Sequence, residues 1–452
     1  MSHARTGRTS MPTASNKQNI AAPDGAPGRA QTAPMDPAAQ RRILLYVGGL
    51  IVLMGIGSPA GGLVNLPISF FLKNKLHLKA HEVATFALIS HIPIYLSFAF
   101  GFIRDRFNPL GRGDRGFLVL FGALGAAVYC TAAFVTPSYG MLLATVLLAL
   151  TSYLFIASAQ RGLTSVIGQR RLMSGRLSAA WNIFESLPAI AALLVGGLLS
   201  EQLEGRNAVQ AGRTLFLAGS AVMAMIAVYG LWKPASVFDN VESVGAASRR
   251  VADDLRRLAG HWPIYPALLI WLLWNFSPGL QTPLQYYLQN ILHAKDMQWG
   301  EWNAVCIAAF IPSFMAYGVL CQRLPLRTLL FWGTIVAVPQ TIPLLFVHSV
   351  QGALVAAILI GLMGGAAYAA YLDLIIRACP EGLQGTVLMM SVGLAAIDAR
   401  FGDVFGTALY ERFGGFGACV TAITIVYLLI LPVLLLIPKR LVSTADGEAP
   451  GP

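Results

Sequence analysis

From residue 38 to residue 440 the chain is written in long apolar runs, separated by short polar or Gly/Pro-containing breaks. The runs lack the strict alternation of a half-buried strand and the broad polar face of a soluble amphipathic helix. Six of them fall at about 38–72, 80–104, 116–134, 138–168, 174–203 and 211–232. After a polar stretch, six more fall at about 262–292, 299–322, 326–347, 350–378, 382–412 and 416–438. Each exceeds the roughly 17–20 residues that carry a helix across bilayer hydrocarbon. The pattern predicts an all-α membrane protein with twelve transmembrane helices. Asp36-Pro37 reads as a cap and first-turn proline opening the first helix. Ser58-Pro59 with Gly61-Gly62 predicts a break in the first helix, and Pro278-Gly279 with Pro283 a break in the seventh. Such breaks free backbone carbonyls inside a bundle.

The chain repeats itself. Pro67, Phe70, Phe71, Leu72, Asn74, Leu76, His77 and Lys79 match Pro283, Tyr286, Tyr287, Leu288, Asn290, Leu292, His293 and Lys295. Gly175, Gly196, Leu199, Glu201 and Gly205 match Gly385, Gly406, Leu409, Glu411 and Gly415. Both offsets are about half the apolar region. The expected architecture is two pseudosymmetric six-helix bundles, 38–232 and 262–440, related by an axis along the membrane normal. Parallel halves of this kind place a substrate site between them near the midplane.

Charge settles topology. Only 12% of residues are charged, against about 25% in soluble domains. The net charge of +11 is not a nucleic-acid signature. Lys and Arg gather in alternate loops, which predicts both termini on the cytoplasmic side of the cell (inner) membrane. Residues 1–37, rich in Ala, Pro, Thr and Gly, predict a disordered cytoplasmic tail, and 441–452 a second tail. The linker 233–261 carries Val244, Ala247, Val251, Leu255 and Leu258 at helical spacing, with Arg249, Arg250, Arg256 and Arg257 on the other faces. It predicts a basic amphipathic helix on the inner leaflet. Lys73, Lys75 and Lys79 with His77 and His81 read as a solvated outer loop. Five dispersed cysteines show neither metal spacing nor a disulfide framework.

Polar residues within the apolar runs are the site candidates. The eleventh helix holds Asp398, Arg400 and Asp403, and a charge at the bilayer centre costs about 2.5–3.5 kcal/mol unless protected. Arg400 and Asp403 share a face and can pair; Asp398 has no partner on its own helix. The fourth helix offers Ser152, Tyr153, Ser158 and Gln160, and the fifth Asn182 and Glu185 one turn apart. The seventh offers Asn275, Ser277, Gln281, Gln285 and Tyr286. The tenth offers Tyr368, Tyr371, Asp373 and Arg377, the last two spaced as a helix-face ion pair at a gate. His91 beside Pro93 reads as a packing histidine or a proton relay.

Gly101-Phe-Ile-Arg-Asp105-Arg106, followed after an inserted Asn108-Pro109-Leu110 by Gly111-Arg112, resembles the cytoplasmic loop signature of the major facilitator superfamily. The resemblance spans residues 42–440. It implies that Asp105 faces the N-terminus of the eleventh helix and that the loop locks and releases the two halves. It also implies a partner for the loop in Arg161 or Arg176. The second-half counterpart, Arg323-Leu-Pro-Leu-Arg327, lacks the acid, so the expected lock is one-sided. Within the superfamily, LPISFFLKNKLHL and SGRLSAAWN look similar to the folate–biopterin transporter branch. That branch carries two carboxylates on the fourth helix, where this sequence reads Ser158-Ala-Gln160-Arg161.

The function these features imply is secondary transport of a small organic solute by alternating access. Glu185 or Asp398 is the expected proton carrier, and protons or another ion the coupling partner. The expected unit is a monomer in lipid, without cofactor, metal or nucleic acid. No Walker loop, His-Glu-x-x-His or Gly-x-Ser-x-Gly occurs, which argues against ATP as driver and against a membrane enzyme. A scramblase, or a non-transporting sensor or assembly factor on the same fold, remains the alternative at this level.

Overall fold

The computed structural model describes residues 36–60, 68, 71–72, 76, 78–204, 208–239, 251–413 and 415–448. The expected tail at 1–35, Gly61-Gly62 and Pro67, the basic loop at Lys73, Lys75 and His77, Gly205, and the linker positions Val244 to Arg250 lie outside them, as do residues 449–452. No strand occurs among the described residues.

The first half holds α1 (Pro37–Gly57), a segmented α2, α3 (Asp114–Phe134), α4 (Tyr139–Arg170), α5 (Ser174–Glu204) and α6 (Ala208–Leu231). The pieces of α2 are Ala80–Ser90, Ile92–Tyr95 and Ser97–Arg106. A short linker helix, Val251–Ala259, follows. The second half begins with α7, Ile264–Asn275 resuming at Thr282–Tyr286 and ending in a π turn, Tyr287–Ile291. It continues with α8 (Asp296–Leu320) and α9 (Leu326–Ala337, running on as a 3-10 segment Val338–Phe346). Then come α10 (Val350–Ala378), α11 (Gln384–Phe413) and α12 (Phe416–Leu428 with Ile430–Leu434).

Local chemistry explains these ends. Asp36 accepts from Ala38 N at 3.2 Å, with Pro37 in the first turn of α1. The helix stops at Gly57, before Ser58-Pro59, because the residue preceding a proline avoids helical backbone. In α7 the same punctuation leaves 276–281 non-helical, with Gly279 at φ 121°. Helix starts repeat between halves. Lys79 N and Lys295 N donate to Glu82 and Gln298 three residues on, at 2.7 and 2.8 Å. Ser138 and Ser349 each accept from the backbone N–H three residues on, opening α4 and α10. The internal repeat read from sequence is thus matched in backbone hydrogen bonding.

Large apolar side chains stand exposed all around the bundle, among them Leu124, Leu148, Val228, Trp332, Val355 and Leu435. Water would penalise such a surface; lipid does not. Small residues set the inner contacts. A Cβ on Gly101 would strike the Gly385 carbonyl, and one on Gly361 would meet Ala309, so α2 packs on α11 and α8 on α10 almost backbone to backbone.

Candidate functional site

The ends bearing Arg104, Arg106, Arg112, Arg170, Arg171, Arg256 and Arg257 form one face of the bundle, the basic face. Here the halves are joined. Asp105 sits at the N-terminus of α11, where Gly385 N, Thr386 N and the Thr386 hydroxyl donate to it at 3.0, 2.7 and 2.7 Å. Those N–H groups have no intrahelical partner and carry the positive end of the helix dipole. Buried Arg104 binds both Asp105 and Asp114, at 2.8 and 2.5 Å, fixing the acid from behind. Gln169 Nε2 donates to the carbonyls of Ile376 and Cys379, and Gln384 Nε2 to Gln169 Oε1. Burial pushes the Cys379 thiol up to about 12, so it stays protonated and packs as an apolar group. Arg377 Nε donates to Asp373 Oδ1 at 2.9 Å and to Ser174 of the first half at 3.1 Å. Arg106 leaves this seam and pairs with Asp254 of the linker helix at 2.6 Å. Arg112 is exposed.

Deeper, Ser97 donates to Met389 O and Ser178 to Ala369 O. Among the described residues, no hydrogen bond or ion pair joins the halves on the side away from the basic face. Arg161 lies nine residues from the end of α4, roughly 14 Å deep at 1.5 Å per residue. Its guanidinium stacks over the Trp181 ring at 4.6 Å from the centroid and faces Glu185 at 3.7 Å. Trp181 Nε1 donates to the other Glu185 oxygen at 3.0 Å. The Glu185 side chain is 51% exposed although it sits mid-helix. The charges of Arg161 and Glu185 reach Tyr153 of α4 and Tyr368 of α10. Tyr368 is backed by Trp271 and Trp274 of α7, at ring-centroid distances of 5.3 and 6.1 Å. One ion pair and aromatic rings from both halves therefore meet around Glu185, eleven residues into α5.

Two expectations are corrected and a third holds. Arg161 is not a partner of the gating loop: its ion pair is with Glu185, and Asp105 is held by Arg104. Arg400 and Asp403 do not pair. Asp403 instead accepts from Thr282 N and the Thr282 hydroxyl, both at 2.9 Å, because the restart of α7 exposes donors that have no helical acceptor. Arg400 is exposed. Asp373 pairs with Arg377 as its spacing predicts; it is wholly buried and also takes the Tyr317 hydroxyl at 2.8 Å.

The remaining candidates divide by what they bond. Gln160 is buried and donates to Thr164 on its own helix. Asn182 and Asn275 donate to the carbonyls of Ser178 and Trp271, one turn back. Gln281 and Tyr286 are exposed at and after the break in α7, and Gln285 is half-buried between them. Asp398 is half-buried, and its Oδ2 has no hydrogen-bond partner. His91 Nδ1 donates to Ala87 O at 2.7 Å beside an apolar cavity of ≈ 100 Å³. That cavity lies within the first half, away from the seam, and plays no part in the site. Trp181, missed at the sequence level, is the anchor of the ion pair; its signal was its place four residues before Glu185, on the same helical face.

The Major Facilitator Superfamily model matches residues 45–397. The chain belongs to that superfamily. It is a polytopic integral membrane transporter of twelve helices, not an enzyme. A folate-biopterin transporter of Synechocystis sp. is 23% identical over 359 residues, covering 73% of this chain and 68% of the relative. Among solved structures, the proton:xylose symporter XylE bound to 6-bromo-6-deoxy-D-glucose superposes with TM-score 0.68 at 10% identity, over 90% of this chain and 98% of the other. The superfamily transporter FucP in the outward conformation gives 0.67 at 14% identity, over 87% and 98%.

Proposed function

We propose that this transporter is a proton-coupled secondary carrier, monomeric in the inner membrane with both termini cytoplasmic, moving a small organic solute by alternating access. One observation carries the reading. The inter-half bonds among the described residues run from the basic face inward to Ser97–Met389 and Ser178–Ala369, while the half-exposed Glu185 pairs with Arg161 beyond the Asp105 lock. A solute entering from the opposite side meets a cation stacked on Trp181, a titratable carboxylate and Tyr368 before it meets the closed seam. Arg161 suits an anionic group, and the Tyr368 ring suits a flat or apolar body. Folate–biopterin transport, the activity named for the Synechocystis relative, lies within that range. Glu185 carries the proton in this scheme, and Asp398 is the second carrier.

The test uses purified protein in proteoliposomes. Candidate solutes are first ranked by thermal stabilisation, since a ligand bound to the native state raises apparent stability. Wild type is expected to accumulate the stabilising solute under an imposed pH gradient. Glu185→Gln is expected to lose that accumulation by more than about tenfold, the typical weight of a positioned proton-transfer group being at least that large. It is expected to retain counterflow exchange of labelled solute. Undiminished pH-driven accumulation in Glu185→Gln would refute the assignment.

A further inference from the structure

The lock has a second acid, and it comes from beyond the last transmembrane helix. In the first half the acid is built into α2, within Gly101-Phe-Ile-Arg104-Asp105-Arg106, and it holds the N-terminus of α11. Carried on at the offset that matches Lys79 to Lys295, the internal repeat sets Tyr317-Gly-Val-Leu-Cys321-Gln322 of α8 against that stretch. Cys321 stands in the acid's place, its side chain against Gly175 as that of Asp105 is against Gly385, and it carries no carboxylate. The N-terminus of α5 is nonetheless filled. Gly175 N donates to Asp446 Oδ1 at 3.0 Å, and Arg176 N and Nε donate to Oδ2 at 3.3 and 2.7 Å. Gly175 and Gly385 are matched glycines of the repeat, so one carboxylate grips the same two backbone positions in each half.

Asp446 is carried by the second half. Its own N–H donates to Cys321 O at 2.8 Å. Two residues earlier, the Thr444 carbonyl accepts from Arg377 Nη1 at 3.0 Å and Leu326 N at 3.4 Å. Among the described residues its bonds to the first half are at Gly175 and Arg176, and its side chain is wholly buried there. Separation of the halves keeps the first set of bonds and breaks the second.

We propose that Asp446 is the gate acid of the second half, supplied from the segment after α12 in place of the acid that α8 lacks. Asp446 closes the α5–α8 seam as Asp105 closes the α2–α11 seam. The segment 439–448 rides with the second half and withdraws from α5 whenever the basic face opens. This rests on the alternating-access reading above, so the experiment reads gate opening and not solute movement.

Two spin-label pairs are placed on the full-length, cysteine-free protein. Arg42→Cys with Glu381→Cys reports the basic face, and Val209→Cys with Met297→Cys the opposite face; all four positions are exposed. Distances are measured by double electron–electron resonance for wild type, Asp446→Asn, Asp105→Asn and a chain ending at Val442. Charge-assisted hydrogen bonds contribute about 1.5–3 kcal/mol, so loss of one lowers the locked-to-open ratio about tenfold. The expected result is a longer basic-face distance in Asp446→Asn and in the shortened chain, with a shorter opposite-face distance, as in Asp105→Asn. If Asp105→Asn shifts both pairs and Asp446→Asn neither, the lock is one-sided and the proposal fails while alternating access stands. If Asp446→Asn broadens both pairs without reciprocal closure, the segment is a folding element and the proposal also fails. If no variant moves either pair, the lock and the alternating-access reading fall together.

Discussion

Arg161 and Asp403 show how far a single residue's role depends on its depth. Arg161 follows Ser158-Ala-Gln160 and, by sequence, sits close enough to the basic end to serve the loop. A helix rises about 1.5 Å per residue, so nine residues of continuing helix carry it about 14 Å in from that end, inside the bundle, where an unpaired charge is costly. Glu185 and the Trp181 face answer that cost. Because Glu185 is half exposed, the pair contributes no more than about 1 kcal/mol to stability after solvent screening. Arg161→Gln is therefore expected to change the thermal midpoint little while lowering proteoliposome transport by more than about tenfold, as loss of a charge-assisted contact to a bound anion would. Asp403 is the reverse case. It caps a broken helix, so Asp403→Ala is expected to cost about 1–3 kcal/mol, seen as a lower midpoint in detergent. Arg400→Ala, three residues away on the same helix, is expected to stay within about 0.5 kcal/mol of wild type. Equal losses in both would restore the pair that the structure replaces.

At the scale of helices, small residues decide which elements can close on one another. Gly101 meets the Gly385 carbonyl, a backbone atom that cannot swing aside. Gly101→Val is expected to prise α2 from α11, remove Asp105 from its donors and populate the state open at the basic face; the Arg42–Glu381 distance reads this directly. Gly140, at the start of α4, has open space where its Cβ would stand. Gly140→Ala is expected to leave that distance unchanged and to raise the melting midpoint slightly, by about 0.4–1 kcal/mol from unfolded-state entropy. Most helices were legible from apolar run length, and the breaks in α1 and α7 from proline and glycine, because these are local constraints on backbone torsion. The segmentation of α2 near His91 and the 3-10 continuation of α9 carried weaker local signals and were not foreseen. Pro93 and Pro343 stand inside those stretches, but how a helix absorbs a proline depends on what packs against it.

For the whole molecule, the expected consequence is sidedness. With the basic face bonded and the opposite seam free of inter-half bonds among the described residues, Gln281 is reachable from the side away from the basic face. In a cysteine-free background, Gln281→Cys is expected to react with a membrane-impermeant maleimide added to intact cells or spheroplasts. Gln169→Cys, behind the lock, is expected to stay protected until the membrane is inverted and the gate opened. Preferential labelling of Gln169→Cys would mean that the resting state faces the other way.

Length, apolar periodicity, basic-loop asymmetry and the internal repeat were enough to reach twelve helices in two related halves. Each depends on transfer into lipid or on backbone geometry, which act on a residue and its near neighbours wherever the chain goes. Which charges pair was decided only when the helices were stacked. Arg161 with Glu185, Asp403 with Thr282, and Asp446 with Gly175 join residues far apart along the chain or turned by depth. Their partners are selected by the desolvation cost of the alternatives, and that cost exists only once the surrounding helices have excluded water.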